Sequence, residues 1–295
     1  MAFDKDEVRR AIAERRDYAK VGWAAPKSPL TYGGVNWRPD FVRDSGVMCL
    51  LSGDDIPKYI ARRIRAAAGD QYDVTCAAAL EILTNNENIE LLMEADASII
   101  FVVDNGQIRK SKKLLKVLAE QEITLGSDLR RRLVELGLEY CRLAKSSHEK
   151  GKRLEDLTHF LFSQVSDFRV LKCNWKTRNE ELDCVIQVRS FSSDRCWAVL
   201  GAPYLIVEAK NRAEKTEQET VSKLRSVMDG KRNTCRIGFI ISISGFTSGA
   251  RDQVLRFATE DNIFVLLEPE DILEWSSSED YEEKLDEITS KAILD

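Results

Sequence analysis

Only two histidines, His148 and His159, occur in the 295 residues, and no two of the seven cysteines stand in a C-x-x-C pair. The scarcity of imidazole removes the H-E-x-x-H zinc peptidases and leaves a Ser-His-Asp hydrolase hard to build. An odd cysteine count without paired spacing argues against both a zinc ribbon and a disulfide framework. Also missing is any apolar run near the roughly 18–20 residues that cross a bilayer. The N-terminal stretch MAFDKDEVRRAIAERRDYAK is charged throughout. It lacks the apolar core of a signal peptide, so a cytoplasmic protein without membrane contact is expected. Chemistry must then rest on carboxylates, lysines and hydroxyls.

The formal net charge is −5, but the distribution matters more than the sum. Residues 268–295 hold eleven acids against two lysines, a net −9, so residues 1–267 carry +4. Basic residues also cluster, at Arg130-Arg131-Arg132, around Lys150, Lys152 and Arg153, and at Lys223, Arg225, Lys231, Arg232 and Arg236. Each cluster alone reads as a solvated face. Together they make a phosphate-binding surface an expectation.

The length suggests two domains. Residues 1–146 read as a separate N-terminal α+β domain whose role is recognition, sensing or dimerisation. It starts with a helix over 1–20, then loops and short strands over 21–53, and a helical pattern over 55–70. DVTCAAALEILTNNENIELLMEAD reads as one or two further helices, SIIFVVDNG as a strand, and SDLRRRLVELGLEYCRLAKSS as a helix capped by Ser127.

Residues 147–276 form a second domain with the order α-β-β-β-α-β-α-β, a small mixed sheet flanked by helices. A helix over 153–165 carries Leu154, Leu157, Phe160 and Leu161 on one face. FRVLKCNW, LDCVIQVRS, PYLIVEAK and CRIGFIISISGF are its first four strands, and NIFVLLEPEDILEW holds the last strand and a short helix. The helix after the third strand starts at Thr216, with capping-box spacing to Glu219. Residues 277–295 form an acidic C-terminal tail.

The third strand, apolar over 203–207, ends in Glu208-Ala209-Lys210. Residues two apart in a strand share a face, so Glu208 and Lys210 stand side by side. A surface ion pair, worth about 0–1 kcal/mol, is one explanation. A metal-dependent site is the other, and Asp183 near the start of the neighbouring strand favours it. Two carboxylates on strands about 4.8 Å apart repel unless a cation neutralises them or one is protonated. Mg²⁺, with Mn²⁺ able to substitute, suits such an all-oxygen setting. Lys210 can meet negative charge on a phosphate.

Glu155, Asp183 and Glu208-Ala209-Lys210, in this order of elements, resemble the PD-(D/E)XK nuclease superfamily. With the later SGFTSGA turn at 244–250 they are similar to its Mrr-like restriction endonuclease branch. The resemblance implies a restriction-endonuclease-like core. It also implies that Asp183, Glu208 and the Ala209 carbonyl bind the metal and that Lys210 serves hydrolysis, with Glu155 assisting. Two features depart from the family pattern: Asp183 lies in EELDC without the named proline, and 24 residues separate it from Glu208. Glu180 and Glu181 are alternative acids.

Arg212, Lys215 and Lys223 follow the site and are candidates for nucleic-acid binding. Trp175 and Trp197 are either base-stacking or core residues. The expected function is a metal-dependent endonuclease hydrolysing DNA phosphodiester bonds, a prokaryotic restriction or anti-phage defence effector that works as a homodimer or higher homo-oligomer. The alternatives are a non-catalytic binding or assembly protein that keeps the fold, and an RNase on the same fold.

Overall fold

The computed structural model describes residues 3–102, 107–176, 181–191, 194–231, 234–257 and 262–294. The chain divides into two compact units, Met1–Val117 and Leu118–Asp295.

In the first unit, α1 (Lys5–Glu14) is capped by Asp4, whose carboxylate accepts the Asp6 N–H at 2.8 Å. It is followed by α2 (Arg16–Lys20) and a hairpin of β1 (Leu30–Tyr32) and β2 (Val35–Trp37). A five-stranded sheet is then built from β3 (Phe41–Arg43), β4 (Gly46–Leu51), β5 (Asp73–Ala78), β6 (Ser98–Phe101) and β7 (Lys112–Lys113). They lie in sequence order, with β4, β5 and β6 parallel. The helices α3 (Lys58–Gly69) and α4 (Asn86–Glu94) make the crossovers, and α5 (Leu114–Glu120) follows β7. Val8 and Ile12 of α1 join Met48, Leu50, Ala77 and Ile100 of the sheet in one core cluster.

One expected helix is partly a strand. DVTCAA is β5, and all of it except Asp73 is buried. A short continuous apolar run reads equally as a buried helix segment or as a central parallel strand, and here pairing with β4 and β6 decides.

The second unit holds α6 (Ser127–Leu143), α7 (Ser147–Ser163), β8 (Phe168–Lys176), β9 (Glu181–Val188), α8 (Cys196–Val199), β10 (Tyr204–Lys210) and α9 (Gln218–Asp229). After these come β11 (Cys235–Ser242), α10 (Ser248–Phe257), β12 (Ile263–Leu267), α11 (Pro269–Ser277) and α12 (Tyr281–Leu294). The sheet order is β12-β11-β10-β9-β8. β8, β9 and β10 pair antiparallel, whereas β10, β11 and β12 pair parallel. This is the mixed sheet flanked by helices that the element order predicts.

Alternate residues of β10 and β11 face opposite layers. Ile206 and Ile240 pack with Val221, Leu224 and Met228 of α9 and with Phe257 and Phe264. On the other side Phe162 of α7 meets Phe239 of β11 and Trp275 of α11, with ring centroids 5.1 and 5.3 Å apart. Gly238 lets α9 approach closely: a Cβ there would stand 2.7 Å from Met228 Sδ and 2.8 Å from Leu224 Cδ2.

Four further expectations meet different physics. The second compact unit includes residues 118–146, because α6 packs on α7 and α11. α6 begins at Ser127, but its cap is Gly126, with no side-chain cap bond. α9 is capped from Glu217 rather than Thr216, and the buried Thr216 hydroxyl instead donates to Ser242 Oγ at 2.8 Å. The acidic C-terminal segment is largely the packed helix α12, with Tyr281, Leu285 and Thr289 buried. Its acids are used within the unit: Lys284 pairs with Glu274 at 2.6 Å, and Asp286 accepts the Cys196 N–H at 2.6 Å.

Arg130 belongs with these differences. It is 4% exposed and faces no phosphate surface. Its Nε donates to Ser276 O and its Nη1 to Leu125 O, both at 3.0 Å, and Nη2 donates to Ser278 O. The last turn of a helix leaves carbonyls without intrahelical partners, and here a guanidinium supplies them at the end of α11. Its plane also lies over the Tyr281 ring, 4.1 Å from the centroid. Other members of the basic clusters are engaged within the unit as well, among them Arg153, which pairs with Glu149 at 3.0 Å, and Arg225, which lies over the Phe257 ring.

Candidate active site

β9 and β10 pair with Val207 opposite Cys184. The ladder ends at that pair, and Glu208 and Asp183 are the next residue of each strand beyond it. Both side chains then project to the face of α9, the face on which Val185 and Ile206 are buried. Asp183 Oδ2 accepts the Ala209 N–H at 2.8 Å, which fixes the acid against the end of β10. In an extended strand the N–H and C=O of one residue point to the same edge, so the Ala209 carbonyl also lies on the β9 side. Glu208 is 5% exposed, and its Oε1 accepts a short hydrogen bond from Lys210 Nζ. Lys223 Nζ, from α9, stands 3.9 Å from the same oxygen.

The structure therefore brings Asp183, Glu208, Ala209, Lys210 and Lys223 together. The long segment between Asp183 and Glu208 is accommodated by α8. Trp197 of that helix is fully buried, stacks edge-on against Phe168 and donates to Asp167 at 3.2 Å, so it is a core residue. Arg212 and Lys215 are exposed on the segment between β10 and α9. Glu155 is half-buried on α7, while its neighbour Asp156 is the fully buried acid. Among the described residues no three His, Cys, Asp or Glu side chains form one metal-holding group, so Glu155 does not complete a cluster with the two acids. Its charge is felt at Cys184, whose thiol is pushed up first by its Cys173 hydrogen bond and by burial, with Asp183 and Glu155 adding. Glu180 and the side chains of Glu181 and Trp175 lie outside the described residues.

Two residues acquire roles that sequence reasoning did not assign. Asn211 follows Lys210 on the opposite face of the chain, where its Nδ2 donates to Cys141 O at 2.9 Å and Lys150 O at 3.0 Å. It joins the exit of β10 to α6 and α7. A polar residue at the end of an otherwise buried strand was the available signal. The SGFTSGA turn holds the other side: Gly245 has φ +78°, and a Cβ there would meet Glu268 Oε1 at 2.9 Å. That carboxylate accepts the Phe246 N–H at 3.0 Å and pairs with Arg251 at 2.7 Å. Thr216 N donates to Gly245 O at 2.8 Å, tying the approach to α9 to this turn.

Burial raises the Asp183 carboxyl to about 6, and the Glu208 charge adds to the rise. The Ala209 N–H, Lys210 and Lys223 act in the opposite direction. A carboxyl raised in the folded state favours folding below its unfolded value near 3.8, and that advantage is lost as pH rises through about 6. Asp183→Asn, which keeps an acceptor for the Ala209 N–H, is expected to stabilise the metal-free protein by on the order of 2 kcal/mol at pH 8. The gain vanishes near pH 4. Denaturant unfolding at the two pH values checks this.

The donors suit a hard divalent cation: two carboxylates that repel each other and one main-chain carbonyl, all oxygen. Asp183, Glu208 and the Ala209 carbonyl would hold it.

Residues 147–275 match the restriction endonuclease family. The matched stretch runs from the start of α7 through β12 into α11 and contains every residue of the site. Among solved structures, the restriction endonuclease FokI is similar at 14% identity and a TM-score of 0.34, covering 66% of this chain. This chain spans 33% of FokI. The protein VC1899 from Vibrio cholerae is similar at 12% identity and a TM-score of 0.27, over 79% of this chain and 80% of that one. No curated protein matches. No helix among the described residues is long and apolar enough to cross a membrane.

Proposed function

We propose that this chain is a Mg²⁺-dependent endonuclease that hydrolyses DNA phosphodiester bonds. The observation that carries the reading is the junction of β9 and β10. There, within a region that matches the restriction endonuclease family, two carboxylates, a main-chain carbonyl and an ammonium group share one strand end. A divalent ion, Mg²⁺ or Mn²⁺, supplies Lewis-acid polarisation of the phosphate and a more acidic water.

The chain's own groups do the rest. Asp183 is oriented by the Ala209 N–H. Glu208 is fixed by β10 and by the Lys210 ammonium. Lys210, 18% exposed, presents a fixed positive charge where negative charge develops as a phosphodiester is attacked. Arg212, Lys215 and Lys223 contact flanking phosphates, and Glu155 assists from α7. One such site cuts one strand, so cutting a duplex calls for two copies of the chain. Cytoplasmic restriction or anti-phage defence is the role that fits an enzyme of this chemistry.

Incubating the full chain with supercoiled DNA and with single-stranded RNA, each with Mg²⁺, Mn²⁺ or EDTA, tests the reading. The expected result is DNA cleavage that requires a divalent ion. Cleavage of RNA alone would move the substrate assignment, and cleavage in EDTA would overturn the metal site.

A further inference from the structure

We propose that Lys223 is an exchangeable counter-ion. Its ammonium neutralises Glu208 while the site is free of metal, and it transfers to a phosphate of the nucleic acid once a divalent ion occupies the carboxylates. This inference rests on the metal-site reading given above.

The two lysines near Glu208 are not equivalent. Lys210 donates a hydrogen bond to Oε1, is 18% exposed and is fixed by β10. Lys223 is 60% exposed and stands 3.9 Å from the same oxygen, beyond hydrogen-bond distance. It contributes charge without a bond. It stands on α9 beside Leu224, which is anchored against Gly238, so its backbone is fixed while a four-carbon stem carries the ammonium.

Charge balance supplies the direction. Asp183 and Glu208 bring two negative charges, and Lys210 and Lys223 bring two positive ones, so the metal-free site is neutral when both acids are ionised. Arrival of a divalent cation leaves two excess positive charges. The ammonium with no hydrogen bond to lose and the most solvent around it is the one displaced, and that is Lys223. An incoming phosphate carries the opposite charge, and the stem length allows the ammonium to reach outward to it.

Lys223 therefore competes with metal and assists DNA, and removing it moves the two affinities in opposite directions. In calorimetry on the full chain, Lys223→Met is expected to bind Mn²⁺ about two- to fivefold more tightly than the parent, the scale of an exposed ion pair. At saturating Mn²⁺ its KM for DNA rises severalfold with a smaller change in kcat, and the dependence of KM on salt weakens by about one phosphate contact. Lys223→Arg, which keeps the charge, stays near the parent in both. Lys58→Met, an exposed charge on α3, changes neither.

If Mn²⁺ binding and KM are both unchanged in Lys223→Met, the proposal fails. Tighter Mn²⁺ with unchanged KM removes the transfer to phosphate, and weakening of both marks a merely structural lysine. A parent protein that binds no Mn²⁺ would overturn the metal-site reading itself.

Discussion

Lys210→Met is expected to lower DNA hydrolysis by about 10²–10³-fold, the scale for losing one preorganised charge-stabilising group. The reason is positional. Lys210 lies in β10 opposite Ser242 of β11, and its carbonyl accepts the Ile243 N–H at 3.1 Å, so its backbone is held against β11. Its ammonium therefore needs no reorganisation as charge builds on the phosphate. Methionine fills a similar volume, so the strand persists. The variant does leave the buried Glu208 carboxylate with Lys223 alone at 3.9 Å. Its metal-free form should consequently lose on the order of 1–2 kcal/mol of stability, which divalent metal restores. Metal affinity is expected to rise while turnover collapses, because a competing cation has been removed. Single-turnover cleavage rates at saturating Mn²⁺, beside unfolding curves with and without the ion, check both halves. Activity near the parent level would remove Lys210 from the mechanism.

Arg130→Met is expected to have the opposite profile, with a large loss of stability and an intact site. The guanidinium serves three carbonyls, those of Leu125, Ser276 and Ser278, and its plane covers the fully buried Tyr281 ring. Burial alone pulls the arginine down from its usual range, so it is held charged at some cost and by these partners. Methionine leaves the carbonyls without donors, at about 1–3 kcal/mol for each buried group that water cannot reach. A total near 3–4 kcal/mol is expected, enough to move the midpoint of thermal unfolding by roughly 10 °C for a unit of this size. Tyr281 begins α12 and donates to Leu161 O at 3.1 Å, so that helix should loosen first. Hydrogen exchange over residues 281–294 reads this directly. Cleavage per folded molecule at low temperature should match the parent.

These two residues show which parts of the molecule are legible in sequence. Lys210 sits two positions after an acid at the end of an apolar strand, and period-two geometry alone puts the pair on one face. The order of elements along the second unit follows from segments separated by clear turns, whereas the order of strands in its sheet does not. Asp183 is legible only through the neighbouring strand, because its place beside Glu208 depends on a register set by the whole β9–β10 ladder. Arg130 could not be read in this way. In RRR one arginine is buried and Arg131 pairs with Glu135 on the surface, and nothing local distinguishes them. The difference arises from packing of α6 against α11, nearly 150 residues away in sequence. Tertiary partners likewise turned the acidic end of the chain into a packed helix and the Thr216 hydroxyl into a tie to β11. Asn211 shows the same limit on a smaller scale, since its partners are carbonyls on helices well before it in the chain.

Calorimetric titration of Mn²⁺ into the parent and into the Asp183→Asn, Glu208→Gln double variant decides whether the two carboxylates hold the ion. The parent should take up at least one ion per chain. The double variant, folded and at neutral pH, should show no heat of binding at the same concentrations. An unchanged binding isotherm in the double variant would contradict the account, because the ion would then lie elsewhere than at the joined ends of β9 and β10.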